Sequence, residues 1–394
     1  MTNQLVEGRI GKTIELNLGN SLIPITGGIL ILRALIQGEY VQALPYLVPV
    51  VLVTIICCWL AIRWAIEQFN RESVLFRDSE RFELRAWLVH LVRDRQPTPS
   101  FGAAMACVLF IFFAQFVMRI GLGAVAEGVH DLSPLAIVLV VYQFVCIGVP
   151  ALVMTFLFTS QPRRTLLLDG WPRGSTCLAA VLLAFCLHPP GQHFVLWVHE
   201  LYPVSEDVLA DSETFAQLVT GSSNFWLPFL VMALLPAILE ELAFRGFVLS
   251  GLRHVGHKWW AIGLSAVFFG MAHTVVQQSL VAGVLGLVLG YLAIQTGHLL
   301  PCILFHMTYN GLMLATTWLT SLSGDLRQAM PLVRHALVEA ESGQVVYSMP
   351  VVALTALGAI AIFAWLHRQP YHRTDEERVE QIRALQSQSL VGDA

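Results

Sequence analysis

The chain has 394 residues, 56% of them hydrophobic and only 13% charged, with a mean hydropathy of +0.66. A soluble globular chain carries about 25% charged residues, so this composition excludes one and indicates a polytopic membrane protein. The formal net charge of −4 says little, because its distribution matters more than its sum, and no nucleic-acid partner is expected.

The first 20 residues are polar and mixed in charge, without the apolar core of a signal peptide. A short apolar stretch, 21–36, contains Pro24 and Arg33 and is only marginally long enough to span; a clearer span follows at 43–62. Residues 63–96 carry seven arginines and six acids interleaved with Trp64, Phe69, Phe76, Phe82 and Trp87, which predicts an interfacial helical segment on the cytoplasmic side. Pro97-Thr98-Pro99 closes it and sets the first boundary. Further spans are predicted at 101–119, 132–158, 176–199 (broken by Pro189-Pro190), 225–252, 259–276, 279–296, 299–318 and 348–367.

Loop charges orient these spans. Arg163, Arg164 and Arg173 lie in one loop, whereas the next long loop, 200–223, holds five acids and no basic residue. Arg253 and Lys258 fall in the link after that, and four arginines follow residue 367. The alternation fits about ten spans with both termini cytoplasmic. The expected fold is therefore all-α, a transmembrane helix bundle. Its three expected regions are 1–96, 97–318, and 319–394 with a loop, a final span and a charged tail. Seven cysteines lie in or beside apolar runs with no C-x-x-C pair, so neither a disulfide framework nor a zinc knuckle is indicated. Gly286-x-x-x-Gly290 predicts a close helix contact.

The chemistry concentrates in the second half. Leu234 to Gly246 places Glu240, Glu241 and Arg245 in an otherwise apolar span, where each charge costs roughly 2.5–3.5 kcal/mol near the bilayer centre. Glu241 and Arg245, four apart, share a face and can pair, while Glu240 is rotated by about 100° and points elsewhere. On the following spans, Phe269 and His273 share a face, and His306 and Asn310 lie one turn apart. At 1.5 Å per residue from the cytoplasmic edge, Glu240, His273, His306 and Asn310 all fall roughly 12–21 Å deep. Each has a structural reading too: Glu241 and Arg245 as an ion pair, each histidine as a packed core residue. Taken together, a free carboxylate, two imidazoles and an amide at one depth are the inventory for hydrolysis. His188, His193, His199, His254, His257 and His298 are given no role.

Glu-Glu-x-x-x-Arg (240, 241, 245), Phe-x-x-x-His (269, 273) and His-x-x-x-Asn (306, 310), in that order on successive spans, resemble the CAAX prenyl protease 2 family, the CPBP intramembrane proteases of bacteria. The likeness covers roughly 176–318. It implies peptide-bond hydrolysis near the cytoplasmic half of a bacterial cytoplasmic membrane, on a membrane-embedded or lipid-anchored substrate. Glu240 would be the general base, His273 would position or share the water's proton, and His306 and Asn310 would donate to the oxyanion. Glu241 and Arg245 would orient the helix and tune Glu240, with Phe269 in support. No cofactor is favoured. The alternative is zinc held by Glu240, His273 and His306, against which Arg245 would repel a cation and Asn310 is a poor ligand.

Residues before about 100, centred on Asn70 to Arg77, resemble the C-terminal end of an ABC-type exporter permease, as in permease–protease fusions. That likeness implies ABC transporter components as partners. Two other functions compete with proteolysis: a transport-associated subunit, and a non-catalytic scaffold or immunity protein.

Overall fold

The computed structural model describes residues 26–69, 95–126, 132–203, 225–255, 257–273, 275–321, 335–339 and 345–371, with residues 16, 21, 212, 216, 220, 377–379 and 382. The centre of the expected interfacial segment (70–94), most of the acidic loop and most of the charged tail lie outside these residues. The chain divides into two compact units, Met1–Leu84 with Val198–Pro203, and Arg85–Trp197 with Val204–Ala394.

In the first unit, α1 (Thr26–Ile36) and α2 (Tyr40–Phe69) form a helical hairpin. Gly38 ends α1 at φ +79°, and the Glu39 N–H reaches back to the Ala34 carbonyl, a left-handed cap that an L side chain would strain. Ile31, Ala34, Ala43 and Val50 pack between the two helices. The outward faces carry Leu32, Ile36, Val48, Leu52 and Ile55, a surface suited to hydrocarbon.

The second unit is a bundle built from α3 (Phe101–Ala126), α4 (132–158), α5 (Gly174–Leu201), α6 (Trp226–Leu252), α7 (Lys258–Met271), α8 (Val276–Thr296), α9 (Leu299–Ser321) and α10 (Met349–His367). The protein is an all-α polytopic bundle, and among the described residues seven helices are long and apolar enough to cross a membrane. Helix α7 is not one of them: its 14 residues rise only about 21 Å. It ends at Met271, short of the expected 276, and His273 sits in the bend beyond it. Helix α5 runs unbroken through Pro189 and Pro190, where a break was expected: proline's φ is itself helical, and the helix absorbs the lost N–H bonds and the crowding of the carbonyls four residues back.

Helices α7 and α8 pack through small residues. A Cβ on Gly270 would come 2.6 Å from the Ser279 carbonyl oxygen, and one on Gly286 would come 2.9 Å from the Ala266 Cα. The contact expected from Gly286-x-x-x-Gly290 is thus present, with Gly290 facing Ile262. The region after α9, expected as a loop, contains a two-stranded antiparallel hairpin, β1 (Leu337–Glu339) and β2 (Val345–Tyr347). Gln192 and His193 of α5 hold it through the Tyr347 backbone, with the Tyr347 N–H donating to Gln192 Oε1 and the Tyr347 carbonyl lying 2.8 Å from His193 Nε2.

Two helices contain a π turn just before a proline. In α4 it is Phe144–Gly148, followed by Pro150; in α6 it is Leu230–Leu234, followed by Pro236. A proline cannot bond to the carbonyl four residues back and its ring crowds that carbonyl, so the wider turn relieves the clash. A third π turn, Leu242–Val248, follows directly after Glu241 and contains Arg245. The candidate site lies among these three turns.

Candidate active site

Glu240 and Glu241 end the regular part of α6, both buried among apolar side chains. They diverge as helical geometry requires. Glu241 Oε1 accepts from Arg245 Nη1 at 3.0 Å and lies 2.8 Å from His306 Nδ1. The guanidinium in turn donates Nη2 to the Gly286 carbonyl at 3.3 Å and lies 4.1 Å from the centroid of Phe269. Arg245 therefore joins α6, α7 and α8, and Glu241 joins α6 to α9. Both residues are 0% exposed, so the pair is stable only because each charge meets the other and further polar groups.

Glu240 turns toward α4. Gln143 Nε2 donates to its Oε1 at 3.0 Å, and its Oε2 lies 3.9 Å from His306 Nε2, beyond direct hydrogen-bond range. His306 thus stands between the two carboxylates, with Nδ1 on Glu241 and Nε2 facing Glu240. Phe269 is the apolar hub. Its ring meets His273 edge-on at 5.2 Å and His306 at 5.9 Å between centroids, as well as Phe244 and the guanidinium.

His273 reaches the site from the bend after α7. Its Nδ1 is 3.0 Å from the Phe269 carbonyl, to which it donates, leaving Nε2 as the ring's acceptor. The bend is fixed from two sides: Gln115 Nε2 of α3 donates to the Ala272 carbonyl at 3.0 Å, and Ser279 Oγ donates to the His273 carbonyl at 2.7 Å. The contact between the two histidines runs through Phe269, and no hydrogen bond joins His273 to Glu240. Asn310 Nδ2 donates to the Met232 carbonyl at 3.3 Å. That carbonyl lies four residues before Pro236, which has no N–H to offer it, so the amide supplies a donor that the sequence itself removed. Its second N–H remains for a ligand.

Glu240, Glu241, Arg245, Phe269 and His306 are therefore in one connected cluster. His273 adjoins it through Phe269, and Asn310 lies one turn from His306. Sequence reasoning missed Gln143 and Gln115. The signal was there: each is a lone amide in an apolar helix, a residue class that needs a polar partner when it sits at membrane depth. Among the described residues no three His, Cys, Asp or Glu side chains are grouped to hold a metal ion. His273 Nδ1 is taken by the Phe269 carbonyl and His306 Nδ1 by Glu241, which leaves Nε2 as the remaining nitrogen of each ring, and no step is derived through a metal.

Residues 222–312 match the family model of the type II CAAX prenyl endopeptidase, Rce1-like. The match shows the expected resemblance over α6 to α9, and it takes in all seven motif residues from Glu240 to Asn310. It begins later than the 176 expected and leaves out α3 and α4, hence Gln115 and Gln143. No curated protein and no solved structure matches the chain.

Proposed function

We propose that this chain is an intramembrane endopeptidase of the CAAX prenyl endopeptidase type, using water and no metal. The observation that carries this reading is the Glu240–His306–Glu241–Arg245 cluster, buried across α6 and α9 inside the segment that matches the family. Glu240 is the general base. It takes a proton from water as the oxygen adds to the scissile carbonyl, and that proton later goes to the departing amide nitrogen. A base so placed contributes about 10²–10⁴ in rate. His273, with Nε2 as its open nitrogen, shares the proton that Glu240 takes from the water and passes on.

His306 and the free N–H of Asn310 face the oxyanion of the tetrahedral intermediate, where one such donor contributes about 2.7–4 kcal/mol. His306 Nδ1 is held on Glu241 Oε1, so Nε2 is the nitrogen turned toward the reacting groups. Glu241 and Arg245 set the position of that ring. A substrate embedded in or anchored to the cytoplasmic membrane of a bacterium fits a site buried among apolar helices. The N-terminal unit is proposed as the permease-like partner region.

The test compares membrane peptide products of the wild type and Glu240→Gln by mass spectrometry, with and without a strong chelator. Products lost in the variant and retained in chelator are expected. Unchanged products in Glu240→Gln would end the proposal, and products lost in chelator would end its metal-free form.

A further inference from the structure

Gln143 donates a hydrogen bond to the proposed base from outside the segment that matches the family. It is the last residue before the Phe144–Gly148 π turn of α4, an otherwise apolar helix. The wider turn changes the angular step there, and so sets which way Gln143 faces relative to the residues that follow. Its amide is used on one side only. Nε2 donates to Glu240 Oε1 at 3.0 Å, while its Oε1 is fully buried and accepts from no donor among the described residues.

Leaving a buried amide oxygen without a donor costs its desolvation, so a glutamine serving only as a tether would be a poor choice for this place. The second carboxylate oxygen of Glu240 is also free of any close partner, being 3.9 Å from His306 Nε2. Two acceptors on adjoining groups, with a ring nitrogen beyond them, are the surroundings that satisfy a water molecule, which takes 2–4 hydrogen bonds in a buried site.

We propose that Gln143 holds the reacting water against Glu240: its Nε2 fixes the carboxylate and its Oε1 accepts one O–H of the water. The other O–H is the one given to Glu240. The oxygen then bonds to the scissile carbonyl carbon, the C–N bond breaks when the proton is passed to the nitrogen, and Gln143 neither gains nor loses a proton. This inference rests on the endopeptidase reading and assigns the water site of that same reaction.

The full-length protein in liposomes, assayed on a peptide cut by wild type and spared by Glu240→Gln, provides the test. Gln143→Met keeps the volume and removes both polar atoms; Gln143→Glu keeps the size and replaces the donor with a second carboxylate. Both are expected to lower kcat by about 100-fold, within the range for a mispositioned base, with KM unchanged within about twofold and thermal unfolding like wild type. Gln143→Asn keeps the amide and is expected to recover part of the rate. Wild-type kcat in Gln143→Met, with Glu240→Gln inactive, overturns this inference and leaves the endopeptidase reading standing. So does a loss of rate in both variants that follows a loss of folded protein. Activity in Glu240→Gln overturns the reading itself.

Discussion

Removing the guanidinium of Arg245 tests whether the buried cluster is held as described. Arg245→Met fills much of the same volume and leaves Glu241 at 0% exposure with His306 as its remaining partner. Breaking a buried ion pair from one side costs about 3–5 kcal/mol, because the remaining charge stays desolvated. Loss of the contact with Phe269, 4.1 Å away, adds about 0.5–2 kcal/mol. Some of this returns through the apolar methionine, so the net expectation is about 4 kcal/mol, close to a thousandfold in the folding equilibrium. Glu241→Gln alone leaves the guanidinium uncompensated and costs a similar amount. The double variant removes both charges, and replacing a buried pair by uncharged groups is often close to neutral. Unfolding of all four proteins in mixed micelles, followed by tryptophan fluorescence, closes the cycle. With singles of about 4 kcal/mol each and a near-neutral double, a coupling energy above the roughly 3 kcal/mol usual for contacting residues is expected. Additive single effects, or singles below about 1 kcal/mol, would show that the pair is exposed or loosely held and would refute the cluster.

Two further outcomes follow from the packing and the loops. Gly270→Ala is expected to destabilise by about 1–3 kcal/mol, because its methyl meets the Ser279 backbone oxygen at 2.6 Å and backbone cannot yield cheaply. Gly290→Ala, whose methyl meets only the Ile262 side chain at 3.2 Å, should be near neutral, since about 1 kcal/mol of helix propensity offsets the crowding; thermal unfolding of the two variants makes the comparison. In the turn between α8 and α9, burial pushes the His298 imidazole below its ordinary value of 6.5, with Asp169 opposing, and among the described residues its Nδ1 has no hydrogen-bond partner. A lowered value means the neutral ring is preferred in the fold, so its contribution is intact above pH 6.5 and is lost as pH falls through the folded value. His298→Gln should flatten that acid loss in a pH series of unfolding midpoints, and an identical slope in both proteins would exclude the residue as its source.

The positions of the helices were legible because a bilayer admits little else: long apolar runs must satisfy their own backbone, and they do so as helices. The pairing of Glu241 with Arg245 and the divergence of Glu240 were legible for a similar reason, since four residues bring side chains together and one does not. What escaped was anything that depends on a departure from 3.6 residues per turn. The π turns at Phe144–Gly148 and Leu230–Leu234 had a sign in Pro150 and Pro236, but a proline states only that one hydrogen bond is missing, not how the helix absorbs the loss. The third, Leu242–Val248, has no proline at all and is set by tertiary contacts such as Ser265 Oγ donating to the Phe244 carbonyl. Those turns decide the site. One aims Gln143 at Glu240, another leaves the Met232 carbonyl for Asn310, and the third carries Arg245 under Phe269. The motif residues alone specify which groups meet. The irregular turns, and the amides of Gln143 and Gln115 outside the motifs, specify how they face one another, and a hydrolytic site depends on the second as much as the first.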